Sequence, residues 1–446
     1  MLRENNLVSA GRNLLERPSE GNGALPLRSS WIDFVIFLIP ALKFFQVNLV
    51  GSLYGGDWLV VGLFGLLWRR GLLTPLAAPL PKRFLTLGTL WLISQVVTDI
   101  IRETPFHDYA RGWAKIVLTL VHFSVLYLLL HGMPRRISIY GWGLVVGSLL
   151  TYFLNPFLYA GQYPWEFGWG FPVTLAAFLL TSGQSYRSLL LPAVLAAVNL
   201  YLSFRSMAAV CFVVLIYLFL RIAWLEKEGR RQWRAKPRHV VAALVLVALA
   251  ILGISAAYAK AVSSGLLGSE AQYKYEFQAT GDYGLLLGGR SEILLGLMAV
   301  YDSPLLGHGS WAKDPDYVAA YQSVLLLLGY DSASFQRGQG IGIDSSGDAD
   351  YLIGGHSHLL GAWVEAGILG ALFWVWVLII AFRSLNQLYS LGNHLAPLAT
   401  FCTFWLIWYV CFEPYGGDLR FNTLYYVVLV MSCIKWASGR SVVLRT

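Results

Sequence analysis

From Leu359 to Phe382 the chain is almost wholly apolar, with Glu365 as its one charge, and comparable runs recur from residue 31 onward. A bilayer-spanning helix needs about 20 apolar residues. The runs are continuous and do not alternate, which argues against a transmembrane barrel. Charged residues make up only 13% of the 446 positions and hydrophobic ones 57%, whereas soluble domains carry nearer a quarter charged. The pattern predicts an all-α, polytopic membrane bundle.

Apolar segments near 31–51, 57–80, 84–101, 112–130, 137–156, 168–182, 187–203, 206–222, 239–260, 356–382, 395–412 and 421–437 give about twelve spans. The second is interrupted by Trp68-Arg69-Arg70, and the sixth is short and contains Pro172. The organisation expected is a polar tail over 1–30, a bundle over 31–260, a long loop over 261–355 and the final spans and short tail over 356–446. The tail has no apolar core, so the expectation is no cleavable signal peptide, with the first span as insertion signal. Cys211, Cys402, Cys411 and Cys433 all fall in or beside apolar segments and form no disulfide framework or metal motif.

Basic residues orient the bundle. Taken alternately, one set of loops and tails holds 22 Lys and Arg and the other holds 9. The positive-inside bias therefore places both termini in the cytoplasm and the 261–355 loop outside. The richest anchor, Arg221 to Arg238, marks the cytoplasmic face and meets anionic lipid. The net charge of +8 follows from the same bias and does not imply nucleic-acid binding.

This sidedness gathers the candidate groups on the outer face. Arg205 lies in the tight turn Leu202-Ser203-Phe204-Arg205-Ser206. Such an arginine either anchors the interface or binds an anion, for which a diphosphate suits its planar fork. Arg290 opens Gly289-Arg290-Ser291-Glu292-Ile293-Leu294-Leu295-Gly296-Leu297, where apolar spacing predicts an amphipathic surface helix. There it either pairs with Glu292 or binds an anion together with free backbone N–H groups. Pro304 stops that helix, and Gly307 and Gly309 flank His308 in a turn.

Beyond the loop come His356 and His358. Two apart on one helix, they point in different directions. A neutral histidine is suited to take a proton from a sugar hydroxyl; the alternative is a polar helix cap. Glu365 lies nine residues beyond His356, about 13 Å deeper on a continuous helix, and reads as structural. Asp99, Arg102, Arg111, Lys115, Glu413, Asp418 and Arg420 complete the outer polar set, with Lys115 placed to snorkel or meet phosphate. Tyr159, Tyr163, Trp165 and Trp169 read as interface aromatics or sugar platforms. Asp344, Asp348 and Asp350 precede the histidines without a recognised metal-ligand spacing.

In order, spacing and sidedness these pieces resemble the O-antigen ligase and polymerase superfamily. The carrying residues are Arg290, then Pro304-Leu305-Leu306-Gly307-His308-Gly309, then His356-Ser357-His358-Leu359-Leu360, then Glu365-Ala366-Gly367-Ile368-Leu369-Gly370. Arg205 matches a family Ser-Arg in place, with Phe204 where serine is usual, and Ser357 stands where asparagine is usual. The match covers roughly residues 200–382; the first 180 residues agree only in hydropathy.

The resemblance implies a glycosyltransferase of the bacterial inner membrane without metal or other cofactor. It would move a glycan from an undecaprenyl-diphosphate donor to a sugar hydroxyl on a second lipid-linked molecule. His356, Arg290 and Arg205 would be catalytic; Lys115, Arg102, Arg111 and His358 are further candidates to bind substrate, from their place at the outer face and not from the resemblance. Repeat-unit acceptors make such a protein a polymerase of O-antigen, capsule or exopolysaccharide, working with a flippase and a chain-length regulator. A lipid A-core acceptor makes it a ligase. A rival of another class is a lipid-linked glycan transporter, which predicts polar groups near the midplane and paired broken helices. Lys43, Gln46 and Asn48 are its best residues.

Overall fold

The computed structural model describes residues 30–49, 51–156, 160–181, 189–228, 256, 258–266, 268, 272, 275–276, 292–329, 342–343, 349–353, 355–388 and 395–443. Arg290, Tyr159, Asp344, Asp348 and most of the span expected at 239–260 lie outside them.

The chain is mostly helical. Among the described residues the helices are α1 (Ser30–Ala41), α2 (Gly55–Arg69), α3 (Pro79–Ile101), α4 (Phe106–Leu130), α5 (Pro134–Leu154), α6 (Gly170–Leu180), α7 (Leu190–Tyr201) and α8 (Arg205–Glu228). The loop region contributes α9 (Glu292–Asp302) and α10 (Pro315–Leu327). After it come α11 (His358–Ala366), α12 (Ile368–Leu388), α13 (Ala396–Phe412) and α14 (Leu419–Val443). Two small antiparallel pairs interrupt the helical pattern: β1 (Gln46–Asn48) with β2 (Ser52–Tyr54), and β3 (Gly342–Ile343) with β4 (Ala349–Asp350).

Among the described residues, five helices are long and apolar enough to cross a membrane: Pro79–Ile101, Phe106–Leu130, Pro134–Leu154, Arg205–Ala223 and Ile368–Leu388. Helix α3 shows how such a helix is used. Leu90, Ile93, Val97, Ile100 and Ile101 face outward, while Ser94, Gln95, Thr98 and Asp99 are buried. A helix with its apolar face outside and its polar face inside suits lipid and not water.

Several expected spans differ. The run 31–51 is a 12-residue helix, about 18 Å long, followed by a 3-10 turn and the β1–β2 hairpin. Hydropathy counts apolar residues but does not register that Gly51, at φ +115°, turns the chain back. The run 57–80 is α2, 15 residues long, followed by a break before α3. The runs at 168–182 and 187–203 give helices of 11 and 12 residues. The run 356–382 is two helices, since Gly367 adopts φ +66° between α11 and α12.

The main core joins most helices around large aromatic side chains. Phe84 stacks on Phe123 at 3.8 Å, and Trp91, Phe373 and Trp374 pack beside them. The loop builds its own smaller cluster from Leu295, Ala299, Val318, Tyr321 and Ile353, which closes on Val364 of α11. Asp314 caps α10, its carboxylate accepting from the N–H groups of Asp316 and Tyr317, with Pro315 as the first helical residue.

Candidate active site

The polar face of α3 holds the loop in place. Ser94 Oγ donates to the Ala366 carbonyl at 2.7 Å, and Thr98 Oγ1 lies 2.5 Å from the Leu306 carbonyl. Asp99 is the anchor. One carboxylate oxygen accepts from Ser310 N at 2.6 Å; the other accepts from Ser310 Oγ and from Trp113 Nε1, each at 2.7 Å. Arg102 donates to the Gly307 carbonyl at 3.1 Å and to Ser303 Oγ at 2.9 Å.

The Pro304–Gly309 turn docks on the end of α11. His308 N donates to the Val364 carbonyl at 2.7 Å, Gly309 N to the Glu365 carbonyl at 3.1 Å, and Ile368 N returns a bond to the Leu305 carbonyl at 3.3 Å. The turn thus satisfies carbonyls that the end of a helix leaves open. Gly307, at φ +85°, lies so close that a Cβ would stand 2.6 Å from Gly367 N. Two motifs some 60 positions apart in sequence are one structural unit. His308 itself serves this unit, with Nε2 2.8 Å from the Ala299 carbonyl.

Against this unit lies a charged cluster from the start of α4. Lys115 Nζ reaches Glu365 Oε2 at 2.5 Å. The Arg111 guanidinium covers the Trp311 ring at 4.1 Å, and Lys115 Nζ stands 4.9 Å from the same ring. Trp311 has φ +51°, which is strained for a bulky side chain. Asp108 offers Arg111 a carboxylate at 3.6 Å. Arg102, Arg111, Lys115 and Glu365 are therefore brought to one place, with Glu365 facing the loop unit and not simply lying deeper along one helix.

The two histidines separate. Helix α11 starts at His358, so His356 lies before the helix and not on it. Ser357 is the cap: its Oγ accepts from Leu360 N at 3.0 Å and donates to the Val410 carbonyl at 2.8 Å. Serine is among the best N-cap residues, as asparagine is. The His356 side chain is 40% exposed, and its Nε2 stands 3.6 Å from Glu292 Oε1. His358 is buried among Trp374, Tyr409 and Tyr415, with Nδ1 2.6 Å from the Glu413 carbonyl and Nε2 3.2 Å from Thr423 Oγ1.

Arg205 opens α8 after a turn in which Ser203 has φ +61°, and its guanidinium lies 5.5 Å from the Tyr258 ring centre. Helix α8 packs on α7 and α13, whereas the charged cluster stands on α3, α4 and α11. Trp165, from the aromatic loop, donates to Asn199 Oδ1 at 2.9 Å.

Sequence reasoning missed Glu292 as the partner of His356, and Asp99 as the anchor of the turn. The spacing Gln95, Asp99, Arg102 on one helix face was the available signal for the second. Among the described residues, no group of three His, Cys, Asp or Glu side chains is arranged to hold a metal ion. No family model matches the chain, and no curated protein matches it.

Proposed function

We propose that the chain is a multi-pass membrane glycosyltransferase that moves a glycan from a polyprenyl-diphosphate donor to a sugar hydroxyl, in the manner of an O-antigen polymerase. The carrying observation is convergence. The Pro304–Gly309 turn, the Glu365–Gly367 stretch and the cations Arg102, Arg111 and Lys115 form one cluster. The turn and the Glu365–Gly367 stretch are two of the pieces whose order in the sequence carries the family resemblance; the three cations are brought to them by the fold.

In this mechanism the acceptor hydroxyl gives its proton to His356 as its oxygen bonds to the anomeric carbon. The bond from that carbon to the diphosphate oxygen breaks, and its electron pair leaves with the diphosphate. Positive side chains stabilise that developing charge as donors do in any preorganised site. Glu292 Oε1 stands 3.6 Å from His356 Nε2 and is proposed to orient the ring. Arg290 and Arg205 are proposed for the diphosphate on the resemblance, and Arg111 and Lys115 as further cations for the substrate. The donor would be undecaprenyl diphosphate-linked, reached from the outer half of the inner membrane.

The lipid-linked glycans of a strain lacking this chain test the proposal. Single repeat units should accumulate at the expense of polymer. Long lipid-linked chains would instead mark a ligase acting on lipid A-core, and an unchanged profile would contradict both.

One observation favours the transporter reading. Asp57, His122 and Arg420 form a buried ionic group within the bundle, and intramembrane charges of this kind mark ion or substrate pathways. The residues first assigned to that reading contribute little. Gln46 and Asn48 hydrogen-bond within the exposed β1–β2 hairpin, and Lys43 pairs with Asp418 at 3.0 Å.

A further inference from the structure

Polar residues recur along one face of α4, at Asp108, Arg111, Lys115, Thr119 and His122. The transfer site accounts for the first three. His122 lies fourteen residues beyond Asp108, about 21 Å along the helix, and eight residues, about 12 Å, from the far end at Leu130. Just past that end, Gly132 N donates to Ser432 Oγ of α14 at 3.0 Å. Arg420 lies twelve residues back along α14, about 18 Å from that level. Against a hydrocarbon core about 30 Å thick, these lengths would put the meeting point of the two side chains within the membrane-spanning part of the bundle, deeper than the outer-face position expected for Arg420 from the sequence.

They meet on Asp57, in the first turn of α2. One Asp57 oxygen accepts from Arg420 Nη2 at 2.7 Å and from Tyr54 N at 2.8 Å. The other stands 2.8 Å from His122 Nε2, at an angle poor for a hydrogen bond. All three residues are at most 3% exposed. His122 Nδ1 and Arg420 Nε have no hydrogen-bond partner among the described residues. Around them stand the Tyr54, Tyr140 and Tyr415 hydroxyls and the Lys43–Asp418 pair.

The charges balance. Arg420 neutralises Asp57 and Lys43 neutralises Asp418, so a proton on His122 would add an uncompensated charge in a low dielectric. We propose that Asp57 and His122 form an intramembrane proton-binding site for which Arg420 is the competing cation. Asp57 needs one positive partner, and either the guanidinium or an imidazolium supplies it. When Arg420 withdraws, one proton enters on His122 and the net charge of the cluster is unchanged.

The segment that carries Arg420 also bonds to α4 and to the start of α11, the helices that carry Lys115 and Glu365. The Glu413 carbonyl receives His358, the Tyr415 hydroxyl bonds Thr119 Oγ1 at 2.6 Å, and Asp418 pairs with Lys43. A movement of residues 413–420 would thereby be linked to proton uptake on His122. The inference does not depend on glycan transfer and holds for a transporter as well.

The test uses the full chain in lipid nanodiscs with Arg420→Gln, which removes the competing cation. A proton held more tightly by the folded than by the unfolded chain stabilises the fold fully below about pH 6.5 and is lost as pH rises. The melting temperature of R420Q should therefore fall between about pH 6 and 9, while that of the parent protein stays level over the same range. Asp57→Asn in the R420Q background should abolish this dependence. A pH-independent R420Q, or a dependence that survives His122→Gln in the R420Q background, overturns the proposal. Should R420Q not accumulate, hydrogen exchange of residues 413–418 in the parent protein decides. Exchange corrected for intrinsic rates should rise on acidification to about pH 5 in the parent and not in H122Q. Equal behaviour of the two would overturn the site.

Discussion

Replacing His356 with alanine is expected to lower glycan transfer by about 10²- to 10⁴-fold, the range for loss of a general base, while protein level and melting temperature stay near those of the parent chain. The side chain is 40% exposed, precedes α11 and its recorded ionic contact is with Glu292, 3.6 Å away. It caps no helix, since Ser357 does that. A fall in transfer without a fall in stability therefore assigns the loss to chemistry. His358→Ala should show the opposite balance, because that ring is packed among three aromatic side chains. Arg290→Ala should match His356→Ala in loss of transfer, and Arg290→Lys should also be poor because lysine lacks the planar fork. Normal polymer from His356→Ala would remove the residue from the mechanism. Membrane levels, melting curves and polymer profiles of the variants supply the comparison.

Replacing Gly367 with alanine is expected to be the most damaging single methyl group in the loop–helix unit. Gly367 has φ +66° and ψ −158°, an essentially glycine-only region that costs an L side chain about 1–3 kcal/mol. The added Cβ would also collide with the Leu305 backbone carbonyl. Backbone cannot swing away as a side-chain tip can, and overpacking of this kind costs about 1–3 kcal/mol. Together the effects amount to about 2–6 kcal/mol. The Leu305–Ile368 hydrogen bond and the docking of the Pro304–Gly309 turn should be lost with it. Limited proteolysis should then cut the 303–311 turn faster, and transfer should fall even though no proposed reacting group has changed. A variant with parental proteolysis and transfer would show that the docking of the two motifs is dispensable.

Gly367 also shows where sequence reading stopped. Glu365-Ala366-Gly367-Ile368-Leu369-Gly370 has the composition of a helix that permits close packing, and hydropathy predicts one continuous span there. The need for positive φ arises from Leu305, more than 60 positions away, and leaves no local mark. The same holds for the ionic groups. Lys115 and Glu365 are 250 positions apart, and Arg420 lies 363 from Asp57. No periodicity of either segment signals the pairing.

Local signals fared better. Apolar spacing after Arg290 predicted a helix, and α9 runs from Glu292 to Asp302 before Pro304. Four of the twelve expected spans, near 84–101, 112–130, 137–156 and 206–222, coincide with helices long and apolar enough to cross. A fifth such helix occupies much of the 356–382 run but begins only after Gly367. The failures cluster where a helix stops within an apolar run, as at Ala41, because hydropathy is blind to where a chain turns.

The central claim is that this chain joins glycans using the energy of a polyprenyl-diphosphate bond. Purified protein in vesicles containing defined undecaprenyl-diphosphate repeat units tests it most directly, with glycan length and released undecaprenyl diphosphate measured together. The account predicts that the two rise in step, one diphosphate freed per linkage made, and that both stop in His356→Ala. Movement of intact lipid-linked units between leaflets with no release of diphosphate and no longer glycan would contradict it.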